Sequence, residues 1–312
     1  MKKIVLILLM LVVVVCGFAY LYIPNTIVIN SAKAIPVNKE GLYRKLGDTA
    51  EWQNWWPGKK RGAETGTWDS RGFSYRLADI KTLSLPVTVS GKGFSAEAEI
   101  TLLAEGPDSS VINFHSSFPS SSNPVKRIAA YFRAQKIKKT ADEMLAAAGS
   151  YYRQTVHLYH YNIEKDHVVD STLLFTYRET TSPPSVELIY SMVDELKAYI
   201  IKNHAKETGF PMLNVFTKDS IRYLVKVAIP VDRKLPDAGT ISYRWMLGGG
   251  NILITEVKGG PAGIKKAYTY IEQYVEDHRR IAPAIPFESL VTDRRKEPDT
   301  SKWITRIYYP VM

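Results

Sequence analysis

The chain changes its hydrophobic pattern several times, and each change predicts an element. Ile4–Ile23 is twenty residues without a charge, which predicts one long apolar helix. Thr26–Ile35 alternates apolar and polar residues, as a half-buried strand does. Leu42, Tyr43 and Leu46 then recur at helical spacing, predicting a short helix over Val37–Leu46. Phe73–Leu77, Leu83–Val89, Phe94–Leu103 and Val111–Ser117 read as antiparallel strands, parted by Gly, Ser or Asp-Ser turns. A serine-rich break follows. Val125, Ile128, Ala129, Phe132, Ile137, Ala141, Met144 and Leu145 then predict a long helix over Pro124–Ala148.

From Tyr151 a second series begins. Val156–Ile163 and Val168–Phe175 read as strands. Pro184–Asn203 is helical, with Val186, Ile189, Met192, Val193, Leu196 and Ile200 on one face. Met212–Phe216 and Tyr223–Ile229 form a hairpin pattern. Ile241–Leu247 and Ile252–Val257 flank Gly248-Gly249-Gly250-Asn251, which predicts a second hairpin turn. Ala262–Val275 is helical, and Pro286–Met312 closes as a third hairpin. The last hairpin repeats the first. Pro211 lines up with Pro286, and Pro230-Val231 with Pro310-Val311. Each follows a helix, so the pattern predicts two copies of one unit about a pseudo-twofold axis, with a ligand groove between them.

Two stretches carry family resemblances. The order strand, helix, antiparallel strands, long helix, with Trp52-x-x-Trp55-Trp56-Pro57 after the first helix, makes Thr26–Ala148 similar to the SRPBCC (START-like, polyketide cyclase) superfamily. That resemblance implies a helix-grip fold and an apolar cavity. The plain reading of the tryptophans is core packing at the ends of the sheet. From Tyr151 onward, the runs L-G-G-G-N-I, V-K-G-G-P, I-P-F-E and W-I-T-R-I-Y-Y-P-V resemble the GyrI-like family, which also serves as the effector-binding domain of AraC-type and MerR-type regulators. An E-x-Y pattern is common in its tail strand, whereas Glu288 here is followed by Leu290. The expected architecture is therefore α+β. A transmembrane helix (residues 1–24) precedes a START-like domain (25–149) and a duplicated β-α-β-β GyrI-like domain with antiparallel sheets (150–312).

Charge adds a basic bias, a formal +10 over 312 residues, which favours anionic surfaces or ligands. It does not choose among them. The one cysteine, Cys16, lies in the apolar run, which excludes a disulfide framework and a Cys-based zinc site. Residues 4–23 are expected to cross a membrane once, with a cleaved signal peptide as the rival. Lys2 and Lys3 at the near end point to a cytoplasmic N-terminus and extracytoplasmic domains. The basic residues of the long helix, among them Lys126, Arg127, Arg133 and Lys138, read as a solvated face or as a dock for anionic lipid. No helix-turn-helix pattern precedes the second domain, so nucleic acid is not an expected partner.

Glu288 is the sharpest candidate for chemistry. Under the Pro211/Pro286 alignment its counterpart is Leu213. A carboxylate replacing an aliphatic in an apolar strand is costly without a partner. It faces either a ligand or solvent and a nearby Lys or Arg. The GyrI-like resemblance implies a groove glutamate that meets cationic or polar ligands. Tyr243 and Trp245 share one face of their strand, and Tyr308 lies in the closing strand. These aromatics could wall a cationic or flat ligand. His157, His160 and His167 suggest a metal, but on a strand residues three apart face opposite sides, and no Ser-His-Asp or Cys-His motif assembles. The expectation is a membrane-anchored protein that binds hydrophobic or cationic aromatic small molecules for sensing, carriage or sequestration, at Glu288, Tyr243, Trp245 and Tyr308, with no cofactor. An enzyme using Glu288 as general acid or base is the alternative, and a regulator of the effector-binding type is a third.

Overall fold

The computed structural model describes residues 2–62, 66–82, 84–169, 171–219, 221–246 and 248–312. The expected strand start at Leu83 and strand end at Leu247 lie outside them. The fold is α+β with two antiparallel sheets. The chain divides into two compact units, Met1–Gln154 and Thr155–Met312.

The first unit opens with α1 (Lys2–Tyr22). The side chains at 1–3, 5, 6, 8, 9 and 12 lie outside the description. Among the described residues, no helix is long and apolar enough to cross a membrane. This overturns the membrane-spanning anchor expected over residues 4–23, and with it the single-pass placement. The end of the helix is fastened to the unit's own body instead. Ala19 and Ile23 are buried, and the Tyr20 hydroxyl donates to the Ser122 carbonyl. Arg127 lies over the Tyr20 ring at 5.0 Å and donates from Nε to the Ile23 carbonyl at 2.9 Å. Tyr20 is thus a packing contact of the first unit.

β1 (Thr26–Ile35) buries Ile27, Ile29 and Ile35 by its alternation. α2 (Lys39–Gly47) is capped by Asn38, whose Oδ1 accepts from Glu40 N and Gly41 N at 2.8 and 3.2 Å; this satisfies donors the helix leaves open. A short 3-10 turn (Glu51–Asn54) then sets the tryptophans inward. Trp52 is fully buried, its ring stacked on Trp56 at 5.1 Å, and its Nε1 donates to the Leu46 carbonyl at 2.8 Å. Trp55 Nε1 donates to the Tyr152 hydroxyl at 2.9 Å. The motif is therefore core packing with every indole N–H bonded.

β2 (Lys59–Lys60), β3 (Thr67–Ser70), β4 (Phe73–Leu77), β5 (Ser84–Gly91), β6 (Phe94–Gly106) and β7 (Ser109–Pro119) complete a seven-stranded sheet in the order β1-β7-β6-β5-β4-β3-β2. α3 (Pro124–Tyr152) is the long helix, with Pro124 in its first turn and Asn123 as its cap. The sheet curls around it. Ser31 of β1 donates to Asp142 at 2.5 Å, while Ser70 of β3 lies 3.4 Å from Thr140. Strands near the two ends of the order thus reach the same turn of one helix. The basic stripe on α3 is not a uniform solvated face. Arg127 is buried, Arg133 stacks over Phe94 at 4.5 Å, and Lys138 pairs with Asp142 at 2.9 Å.

The second unit begins with α4 (Thr155–Tyr159), where a strand over Val156–Ile163 was expected. Leu158 and Tyr159 are buried there, and the Tyr159 hydroxyl donates to Asp277 at 2.8 Å, so packing outweighs the β-branched local pattern. The following elements are β8 (Glu164–His167), β9 (Ser171–Thr180), α5 (Val186–Lys202), β10 (Met212–Asp219), β11 (Arg222–Val231), β12 (Ser242–Met246), β13 (Asn251–Lys258), α6 (Pro261–Asp277), β14 (Phe287–Leu290) and β15 (Ile304–Val311). Their sheet runs β12-β9-β11-β10-β14-β15-β13-β8.

That order reads the same from both ends. β9-β11-β10 on one side answers β13-β15-β14 on the other, and each half takes its edge strand from the opposite half. The predicted hairpin across Gly248–Asn251 is corrected by this exchange. β12 pairs with β9, and β13 with β15 and β8. The halves meet where β10 pairs with β14, Met212 opposite Ser289 and Leu213 opposite Glu288. The two positions that the sequence aligns are thus direct partners at the centre.

One face of the sheet is covered by helices. Leu174, Leu213, Val225, Val227, Ile229 and Leu290 pack with Ile189, Met192, Val193 and Leu196 of α5 in one core. α6 buries Ile264, Ala267 and Ile271 and packs against β13 and β15. The side chains between these, by alternation, occupy the other face.

Candidate functional site

The uncovered face of the eight-stranded sheet encloses a cavity of about 740 Å³. Leu173 and Phe175 of β9, Met212 and Asn214 of β10, Lys226 and Ala228 of β11 and Phe287 of β14 line it. So do Trp245 and Met246 of β12 and Gly250 and Asn251 beside β13. Strands from both ends of the sheet order thus close on one space, which requires the sheet to curl. Pro283–Pro286 and Pro310–Met312 supply the rest of the wall. Among the described residues that line it, the side chains are apolar apart from Asn214, Lys226 and Asn251, and only that of Lys226 is ionisable. A second cavity, about 300 Å³, shares Val168, Met212, Met246 and Phe287 with the first and adds Asp166, His167, Ser289 and Tyr308.

The structure separates the four expected site residues. Trp245 lines the larger cavity and is 59% exposed. Tyr308 lines the smaller one, its ring stacked on Phe287 at 5.0 Å. Phe287, a wall of both cavities, carries the aromatic contact on β14. Tyr243 lines neither cavity; Lys234 Nζ lies 4.9 Å above its ring.

Glu288 lines neither cavity. Its strand partners are Leu213 and Ile307, whose side chains are buried, and Leu213 belongs to the helix-covered core. Glu288 Oε2 accepts from Arg294 Nη2 at 3.0 Å, and the two side chains are 18% and 6% exposed. The same guanidinium donates to Thr305 Oγ1 at 3.0 Å and lies 4.9 Å over the Trp303 ring. Arg294 N donates to the Tyr190 hydroxyl at 2.9 Å, which in turn donates to the Thr292 carbonyl at 3.0 Å. These contacts fix the turn that carries the arginine. Burial pushes the Glu288 carboxyl above the usual carboxylate range, while the charge and hydrogen bond of Arg294 pull it down. Burial likewise pushes the Tyr268 hydroxyl up, and the negative charge of Glu288 adds to that shift. A carboxylate with a cation stacked on an aromatic is the arrangement expected for a bound ligand. Here the cation comes from the chain itself.

Among the described residues, no group of three or more His, Cys, Asp or Glu could hold a metal. His157 sits on α4 and His160 just beyond it at φ 61°, with His167 on β8. The strand geometry assumed for the first two does not apply.

Sequence reasoning passed over Arg294, Asn214 and Lys226. Arg294 lies in Asp293-Arg294-Arg295-Lys296, which reads as a solvated turn. Lys226 occupies the polar position of Val225-Lys226-Val227, which reads as solvent-facing; the alternation was visible, but the cavity on that face was not.

No protein-family model and no curated protein sequence matches the chain. Several solved structures are similar over parts of it. The C-terminal domain of EcmrR is 16% identical, covering 49% of this chain and 98% of its own, with a TM-score of 0.42. SAV2435 bound to tetraphenylphosphonium is 12% identical over 48% of this chain and 93% of its own, at 0.32. The Zhui aromatase/cyclase from Streptomyces sp. R1128 is 8% identical over 40% of this chain and 92% of its own, at 0.32.

Proposed function

We propose that this protein binds apolar or aromatic small molecules in the 740 Å³ cavity, for sensing, carriage or sequestration. In this reading residues 25–149 form a START-like domain and residues 150–312 a duplicated GyrI-like domain. The palindromic strand order supports the duplication. The cavity lining carries the functional reading: a space of this size, walled by Phe175, Trp245 and Phe287, is that of a ligand pocket. The binding reading rests on the apolar lining, in which Lys226 is the ionisable side chain among the described residues. Trp245 is a ligand wall. Tyr308 acts from the adjoining cavity through Phe287. Glu288 is a positioning residue, held by Arg294, and Tyr243 stays outside the site.

The test is a fluorescence titration with the neutral aromatic N-phenyl-1-naphthylamine. Saturable binding is expected, and Ala228→Leu, which adds bulk to the buried floor, should abolish it. Binding that Ala228→Leu leaves unchanged would place the ligand elsewhere and overturn the reading.

A further inference from the structure

The larger cavity holds two polar groups that its apolar wall does not explain. Asn214 and Lys226 are direct cross-strand partners on β10 and β11, so their side chains leave the sheet side by side. Both line the cavity. Asn214 Nδ2 donates to the Pro286 carbonyl at 2.9 Å. That bond fixes the amide's orientation, since a carbonyl only accepts. Its Oδ1 is buried, and among the described residues no group donates to it. A buried acceptor left unmade is costly and calls for an explanation.

Lys226 is half-buried, and among the described residues no carboxylate pairs with it. A second cation stands near: the Arg244 guanidinium lies 5.3 Å from the centre of the Phe175 ring, a wall of the same cavity. Asp166, the acidic residue of the adjoining cavity, does not line this one, and its Oδ1 accepts from His167 N at 2.8 Å. Among the described side chains, the polar corner therefore presents one ammonium that no carboxylate side chain pairs with and one carbonyl oxygen that no donor reaches, inside an apolar wall.

We propose that this corner is a head-group site, and that the cavity takes amphipathic anions. Such a ligand has a flat or branched apolar body, an anionic group such as a carboxylate or sulfonate for Lys226, and an N–H or O–H beside it for Asn214 Oδ1. This rests on the cavity being a ligand site, and it reverses the charge preference expected from Glu288. In this proposal Lys226 sets the charge preference, because the Glu288 carboxylate is already paired with Arg294. An ion pair formed in a partly dry cavity is stronger than one in water, and a ligand donor would satisfy the open Asn214 oxygen.

Two dyes of one shape test it on the full chain. 1-Anilinonaphthalene-8-sulfonate carries the apolar body, an N–H and a sulfonate; N-phenyl-1-naphthylamine lacks only the sulfonate. The wild type should bind the anion at least about ten-fold more tightly than the neutral dye. Lys226→Met should remove that preference, read as the ratio of the two affinities, while Lys226→Arg should restore it. Lys226→Gln serves if the Met variant does not fold, and the wild-type comparison needs no variant. Equal affinity for both dyes, or tighter binding of tetraphenylphosphonium than of the sulfonate, would overturn the anion preference while leaving the cavity as a binding site. Failure of both dyes to bind, or binding indifferent to Ala228→Leu, would overturn the cavity reading itself.

Discussion

The two sheets use their hollow faces in opposite ways. In the first unit, α3 fills the hollow, and residues as far apart as Ser31 and Ser70 bond to it. In the second, α5 packs on one face of the sheet while the other walls an open cavity lined by Phe175, Trp245 and Phe287. Both are antiparallel sheets with amphipathic strands. Which face the helices cover decides whether the inward aromatics become core or pocket. A core tryptophan such as Trp52 should therefore be worth stability, and a cavity-lining one such as Trp245 should be worth affinity.

The sharpest break in that contrast comes from Trp52 and Trp245. Trp52 is fully buried, stacked on Trp56 and bonded to Leu46. Trp52→Ala should destabilise the first unit by roughly 3–5 kcal/mol, through lost burial and the cavity left behind. Trp245 is 59% exposed. Trp245→Ala should change stability by no more than about 0.5 kcal/mol and weaken binding of N-phenyl-1-naphthylamine several-fold. Thermal unfolding and dye titration on both variants decide it. A large stability loss at Trp245 would make the second aromatic set core as well.

The pair Glu288–Arg294 is the place where the second unit does behave as core. Glu288→Ala leaves a buried guanidinium with one hydrogen-bond acceptor fewer, and should cost roughly 3–5 kcal/mol in urea unfolding. The double variant Glu288→Leu/Arg294→Met removes both charges and should recover most of that loss, since Leu213 already stands opposite Glu288. A double variant as unstable as the single one would show that Arg294 matters through Trp303 and Thr305 rather than through the carboxylate.

The sequence made the strands and long helices legible because their alternation or helical period is local. It also carried the repeated Pro-to-Pro-Val pattern that begins at Pro211 and at Pro286. What it hid was pairing. Gly248-Gly249-Gly250-Asn251 has the residues of a tight turn, yet β12 and β13 belong to different halves of the sheet. Thr155–Tyr159 is rich in strand formers, yet burial of Leu158 and Tyr159 holds it helical. Glu288 stood out as a carboxylate in an apolar strand, and its burial followed. Its partner could not be read, because Arg294 sits in a charged turn that resembles any surface loop. Lys226 was concealed for the converse reason: a lysine alternating with valines looks solvated unless the curl of the sheet is known.

A smaller effect probes how tightly the first sheet grips its helix. A methyl group on Gly149 of α3 would lie 2.5 Å from Ile35 Cγ2 on β1. No real side chain tolerates that approach without movement. Gly149→Ala should gain helix propensity of up to about 1 kcal/mol and lose roughly 1–3 kcal/mol to overpacking, for a net loss. Ile35→Val with Gly149→Ala should relieve part of the clash. Thermal unfolding of the three variants measures it, and a stabilised Gly149→Ala would mean the helix is free to shift.

The smallest effect is a pH dependence, and its sign is the test. Burial raises the Glu288 carboxyl above its ordinary value of 4.5 despite Arg294. Between 4.5 and the raised value, the folded state then holds more protons at this position than the unfolded state does. Stability from this group is full below 4.5 and is lost as pH rises through the folded value. Glu288→Gln cannot titrate, so the stability difference between wild type and Glu288→Gln should shrink as pH climbs from 4.5. The unfolding of the whole chain mixes two units, so the measurement belongs at the site. Amide exchange of Ile307, directly opposite Glu288, reports the local opening free energy in each variant. A difference that grows with pH over that window would mean that the charge of Arg294 outweighs burial. Glu288 would then be an ordinary, strongly stabilising ion-pair carboxylate.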